Sequence, residues 1–152
     1  MLGFALALAV LAQAPTPPPP PAPAALKPLG FYSQRFDYRW DTMIPLKVEV
    51  DGLQLESIFF NRREIARGPF KGADFGARAQ VAVLNKADKI RVPGFAVAVF
   101  DAEGRLLGVA SGGSKLGGVK PGEKETFDLN FAQVTERLPL GTSFVLSVEL
   151  SD

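Results

Sequence analysis

Phe127-Asp128-Leu129-Asn130-Phe131 and Phe144-Val145-Leu146-Ser147-Val148-Glu149-Leu150 decide the fold class. In both stretches every second residue is large and apolar. Successive side chains of a strand point to opposite faces, so a period of two predicts a strand that buries one face and wets the other. From about Pro28 onward that period dominates, and no long stretch shows the 3.6-residue spacing of an amphipathic helix. One helical turn is expected between Phe131 and Leu138.

The same reading extends upstream. Leu46, Val48 and Val50 alternate with Lys47 and Glu49, and Asp51-Gly52 then offers a two-residue turn into Leu53, Leu55 and the run Ile58-Phe59-Phe60. A single long strand with a bulge is the alternative there. Residues 78–84, RAQVAVL, form a further strand, and residues 94–100, GFAVAVF, are apolar on both faces, which predicts a central strand. Asp101-Ala102-Glu103-Gly104 then closes a hairpin, with Gly104 supplying a positive φ, and Lys120-Pro121-Gly122-Glu123 fits a type II turn. Short strands at this spacing, with no internal repeat, predict an all-β fold. The expected architecture is an immunoglobulin-like antiparallel β-sandwich of about seven or eight strands over residues 29–152, with a small barrel as the second choice.

Two segments precede that domain. Leu2 to Ala12 is uncharged and rich in Leu and Ala, too short to span a bilayer but suited to the apolar region of a signal peptide over residues 1–12. Val10 and Ala12 suit cleavage before Gln13, and Ala12 and Ala14 suit cleavage before Pro15. Residues 13–28 are rich in Pro and Ala and predict an extended spacer, able to hold the domain about 40 Å from whatever the N-terminus meets. The expected location is therefore extracytoplasmic, periplasmic or secreted, with no integral membrane span.

Composition removes whole chemistries. The 152 residues contain no Cys and no His, which excludes a thiol nucleophile, a disulfide framework, thiolate or imidazole metal sites and a Ser-His-Asp triad. Lys and Arg number 17 against 16 Asp and Glu, and they are scattered, so no basic stripe marks a nucleic-acid partner. Arg62-Arg63, the densest basic spot, reads as a solvated strand end.

Four strings could carry chemistry, and each has a structural reading that fits better. Asp74-Phe75-Gly76 spells the kinase metal-binding tripeptide without its companions and reads as a polar loop before the strand at residue 78. Residues 111–123, SGGSKLGGVKPGE, are glycine-rich, but Ser114-Lys115 stands in the wrong order for a phosphate-binding loop. Ser114-Lys115 is also the sole adjacent pair a hydrolase could use. Leu138-Pro139-Leu140-Gly141-Thr142 resembles a cell-wall sorting signal but ends Gly-Thr and lacks the apolar tail, so it reads as a turn. Asp101 and Glu103 share one tight turn, where two carboxylates rarely face each other across a cleft, and they supply too few oxygens for calcium, so they read as a solvated hairpin tip. No catalytic, cofactor-binding or metal-binding residue is assigned, and no cofactor is expected.

Val83-Leu84-Asn85, Phe100-Asp101 with Gly104, and Pro121-Gly122-Glu123 leading to Phe127, Leu129 and Phe131 resemble, in order and spacing, the bacterial extracytoplasmic immunoglobulin-like modules of the FxLYD type. The resemblance covers residues 77–150. It departs at Lys86-Ala87, where a small residue or Gly is usual, and in the long Gly-rich connection. It implies a sandwich fold and an exported location and transfers no catalytic residues. The leading expectation is a non-catalytic module that binds a protein or an envelope component, with loops such as residues 111–123 as contact points. A small-ligand or glycan-binding sandwich is the alternative, and it would need Tyr32, Tyr38 and Trp40 on an exposed face. A carboxylate- or Ser/Lys-dependent hydrolase is the remote third, and the chain is expected to be a monomer or an edge-strand dimer.

Overall fold

The turn at Asp51-Gly52 is a two-residue hairpin. Both residues have positive φ, 44° and 80°, the geometry whose twist matches that of the flanking strands. The computed structural model describes residues 30–64, 74–114, 117–131 and 134–151. The segments expected to be signal peptide and spacer lie outside the described residues, as does Lys115.

Among the described residues eight strands follow in order: β1 (Gly30–Asp37), β2 (Met43–Val50), β3 (Leu53–Glu64), β4 (Asp74–Asn85), β5 (Val92–Phe100), β6 (Leu106–Gly113), β7 (Lys124–Phe131) and β8 (Ser143–Ser151). They make two four-stranded sheets, β1-β8-β5-β6 and β2-β3-β4-β7, with every neighbouring pair antiparallel. The all-β sandwich expected from the sequence is the fold found. β5 is internal to its sheet, as its composition predicts. In immunoglobulin terms β3, β4 and β7 stand as strands A, B and E, and β5, β6 and β8 stand as C, C′ and F. The place beside F, normally filled by the strand that follows it, is taken by β1, whose Gly30 pairs with Leu150.

The inward faces of the two sheets form one core. Leu53, Leu55, Ile58 and Phe60 from β3 meet Phe144, Leu146 and Val148 from β8, all fully buried. Phe60 packs at 5.1 Å from Phe144 and 4.6 Å from Tyr38, while Phe95 and Phe127 pair at 5.3 Å. Contacts of this kind add to the area term that drives burial.

One expectation is corrected. Asp74-Phe75-Gly76 is not a loop, because β4 already begins at Asp74. Between Arg62↔Ala77 and Glu64↔Asp74 the register shifts, and Gly76 at φ 94° stands on the strand carrying the extra residue. A bulge of this sort breaks the period of two and so hides the strand from a pattern reading. A 3-10 turn at Leu138–Leu140 begins at the last residue of the stretch expected to hold a helical turn, buries Leu138 and leads to Gly141; residues 134–137 are not helical, and residues 132 and 133 lie outside the described residues. The Leu138 to Thr142 string is therefore the turn into the last strand, where Gly141 lies so close to Tyr38 and Val99 that a Cβ would fall 2.7 Å from each.

Candidate functional site

The polar residues that the sequence singles out are held inside the loops. Asn85 ends β4 fully buried, and its Nδ2 donates to the carbonyls of Lys89, at 2.7 Å, and Val119, at 2.8 Å. Its Oδ1 accepts the Ala87 N–H at 2.9 Å, so one amide side chain joins the β4–β5 loop to the β6–β7 loop. Arg91 completes this end, donating to the Asp51 carbonyl at 3.0 Å and pairing with the Asp51 carboxylate at 2.9 Å. Val119 is fully buried and forms an antiparallel bridge with Arg91, and Gly122, at φ 75°, closes the turn from Lys120 to Glu123. The described part of residues 111–123 is thus largely strand, bridge and hydrogen-bonded turn.

At the opposite end, Asp101 is a buried organiser of its hairpin and not a solvated tip. Its carboxylate accepts the N–H groups of Glu103, at 3.0 Å, and Arg105, at 2.8 Å, and pairs with the Arg105 guanidinium at 2.7 Å. Burial alone would raise the Asp101 pKa, but the hydrogen bonds and charge of Arg105 outweigh it and hold the carboxyl below its ordinary value. Glu103 stays exposed and pairs with Arg105 at 3.0 Å. Arg62 and Arg63 are exposed near the end of β3, and Arg62 pairs with Glu136 at 3.3 Å. Ser114 donates its backbone N–H to Pro93 at 3.0 Å. Among the described residues no three Asp or Glu gather as a metal site would require.

The three aromatic residues a glycan site would need turn toward the core. Tyr38 is buried and Tyr32 and Trp40 are half-buried against it. Burial raises the pKa of both tyrosines, strongly for Tyr38. The Tyr38 hydroxyl has no hydrogen-bond partner among the described residues.

What the sequence reading missed is the outer face of the β1-β8-β5-β6 sheet. Its cross-strand rows follow from the pairing register. One row runs Arg35, Val145, Ala98, Val109; the next Ser33, Ser147, Ala96, Ser111; the third Phe31, Glu149, Gly94, Gly113. The centre of the face is floored by Gly94, Ala96 and Ala98, with Ser147 and Ser111 on either side of Ala96; a shallow depression of about 390 Å³ lies over Ala96 and Ala98, and a second, over Gly94 and Ala96, is bordered by Phe31 and Glu149. Around it stand Phe31, Leu106 and Val109, exposed at 62%, 57% and 62%, three of the six exposed large apolar side chains among the described residues. Arg35 lies 4.7 Å over the Phe100 ring and donates to Ser143, and Ser33 and Ser147 share a hydrogen bond of 2.9 Å. An exposed face with a floor of small apolar residues and exposed apolar side chains among its borders suits contact with another macromolecule, because its centre can be covered with little polar desolvation.

Among the described residues no helix is long and apolar enough to cross a membrane. Comparison with protein-family models, with curated proteins and with solved structures gives no match to this chain.

Proposed function

We propose that the chain is a non-catalytic, exported binding module that engages another protein or an envelope component through the outer face of the β1-β8-β5-β6 sheet. The observation that carries this reading is the floor of Gly94, Ala96 and Ala98 between exposed Phe31 and Val109. A strand in the middle of a sheet normally offers solvent its polar side chains, and here it offers none. The resemblance of residues 77–150 to the FxLYD-type modules and the apolar N-terminal run support the extracytoplasmic location. The sequence suggests the loops as contact points, but the residues there are tied to one another, which favours the face over the ends.

The test is capture from envelope and culture fractions with the tagged chain and its Ala96→Arg variant. Ala96 is exposed, so the arginine leaves the core untouched. A partner retained by the native chain and lost by the variant is the expected outcome. Equal capture by both, or capture of glycan alone, would remove the face from the function.

A further inference from the structure

Each sheet has two edge strands, and three of the four edges carry the features that discourage pairing with another chain. β2 holds Pro45, a register shift between Pro45 and Val48, and Lys47 at φ 50°, next to Glu49. β7 carries Lys124, Glu125 and Asp128, and β1 carries Arg35 and Asp37. β6, with the sequence LLGVASGG, has no charge and no proline.

The backbone of β6 is available as well. Ser114 N–H donates to Pro93 O, which fixes the alternation of the β5–β6 ladder: Gly112, Ala110 and Gly108 turn their polar groups to β5. The N–H and C=O groups of Val109, Ser111 and Gly113 therefore point away from the sheet, and no described strand pairs with them there. β7 lies under this edge and not beside it, since Leu129 and the Asp128 carbonyl approach Gly112 within 2.7 and 3.1 Å of where a Cβ would be.

We propose that two copies of the chain join antiparallel through β6, merging their outer sheets into one sheet of eight strands. With Ala110 facing Ala110 at the two-fold axis, Val109 of each copy opposes Ser111 of the other, and their outward N–H and C=O groups exchange hydrogen bonds. The arrangement is self-complementary in charge because β6 has none. Asp128, the nearest acidic residue on β7, is occupied by Arg78 at 3.1 Å and Gln80 at 3.0 Å. Asn130, which lines the same depression as Val109 and Ser111, brings a neutral amide toward the axis, and two amides satisfy each other. This rests on the reading of the outer face as an interaction surface and adds to it, since the dimer places two depressions on one continuous face.

An eight-residue strand about 27 Å long, in a sheet about 10 Å thick, buries roughly 500–600 Å² in total. That is below the standard range for stable complexes, so the association is weak and shows only at high concentration. Sedimentation equilibrium of the purified chain up to about 1 mM should show monomer and dimer, and Val109→Lys, at an exposed position, should return it to monomer. Because the chain has no cysteine, mixing Val109→Cys with Ser111→Cys chains under mild oxidation tests the register. The mixture should give more covalent dimer than either variant alone. A native chain that stays monomeric at about 1 mM, a dimer indifferent to Val109→Lys, or preferential 109–109 crosslinking would each overturn the proposal. A monomeric chain that still captures a partner through Ala96 would overturn the dimer alone, and a dimer with equal capture by native chain and Ala96→Arg would overturn the binding role of the face alone.

Discussion

Replacing Asn85 with alanine should destabilise the domain by about 3 kcal/mol. Three hydrogen bonds vanish, those to the Lys89 and Val119 carbonyls and that from the Ala87 N–H. The Val119 carbonyl keeps a second donor, the N–H of Arg91, and the Lys89 and Ala87 groups are near enough to the surface for water to reach. The loss is then about 1 kcal/mol for each bond, at the lower end of what an unpaired buried group costs. With a urea slope of roughly 1.5–2 kcal/mol/M, the unfolding midpoint should fall by about 1.5–2 M. Asn85→Asp should cost more at neutral pH, because a carboxylate replaces a donor that faces two carbonyl oxygens. Burial and those oxygens raise the folded-state pKa of the new acid above its unfolded value of about 3.9. Its penalty is therefore full above the folded pKa and fades as the pH falls toward the unfolded one. Urea midpoints of native, Ala and Asp chains at pH 7 and pH 5 measure all of this. A shift below about 0.5 M for the Ala variant, or an Asp variant that recovers nothing on acidification, would refute the assignment of Asn85 as the tie between the two loops.

Tyr38→Phe removes a buried hydroxyl that has no partner among the described residues and keeps the ring against Phe60, so it should stabilise by about 1 kcal/mol. Calorimetry should show Tm rising by roughly 4 °C, and a fall would mean the hydroxyl is bonded in solution. Asp101→Asn should remove a pH dependence: the folded-state pKa lies below the ordinary 3.8, so the stability it contributes is present above that value and lost as pH falls through the depressed one. The Tm gap between the native chain and the Asp101→Asn variant should therefore close as the pH is lowered from about 6 to about 2, and a constant gap would refute the electrostatic role.

The fold was legible where the period of two runs unbroken and illegible where a bulge resets it. β7 and β8 and the Asp51-Gly52 hairpin lie where the pattern puts them. In β3 the buried set runs Leu53, Leu55 and then Ile58, Phe60, because the register slips between Leu55 and Ser57. The early start of β4 was hidden in the same way by Gly76. For the candidate face, the run GFAVAVF was readable as a central strand, but Gly94, Ala96 and Ala98 count as apolar whether they are covered or bare. The signal available was size. The inward residues Phe95, Val97 and Val99 are all larger than Gly94, Ala96 and Ala98, which alternate with them, and small residues on one side of a central strand leave a trough there. Asn85 and Asp101 were legible as motif residues, but their burial was not, because a polar residue at a turn reads as solvated unless its long-range partners are known.

Three polar or charged residues are buried among those described, Asn85, Arg91 and Asp101, and each is engaged by groups of the loop it organises. The bonding capacity of these three side chains goes to holding the sandwich ends, and the Tyr38 hydroxyl, buried with no partner among the described residues, is closed off in the core. The open capacity lies elsewhere, in the outward N–H and C=O groups of β6 and in the bare floor of β5 beside it. Backbone groups recognise another backbone, and a flat, small-residue floor recognises shape. If that is the chain's chemistry, charges added at residues 96 and 109 should abolish association while leaving stability within about 0.5 kcal/mol, as exposed substitutions do. Substitutions at Asn85 and Asp101 should do the reverse, lowering stability and leaving association per folded molecule unchanged, and a crossover between the two sets would break the division of labour.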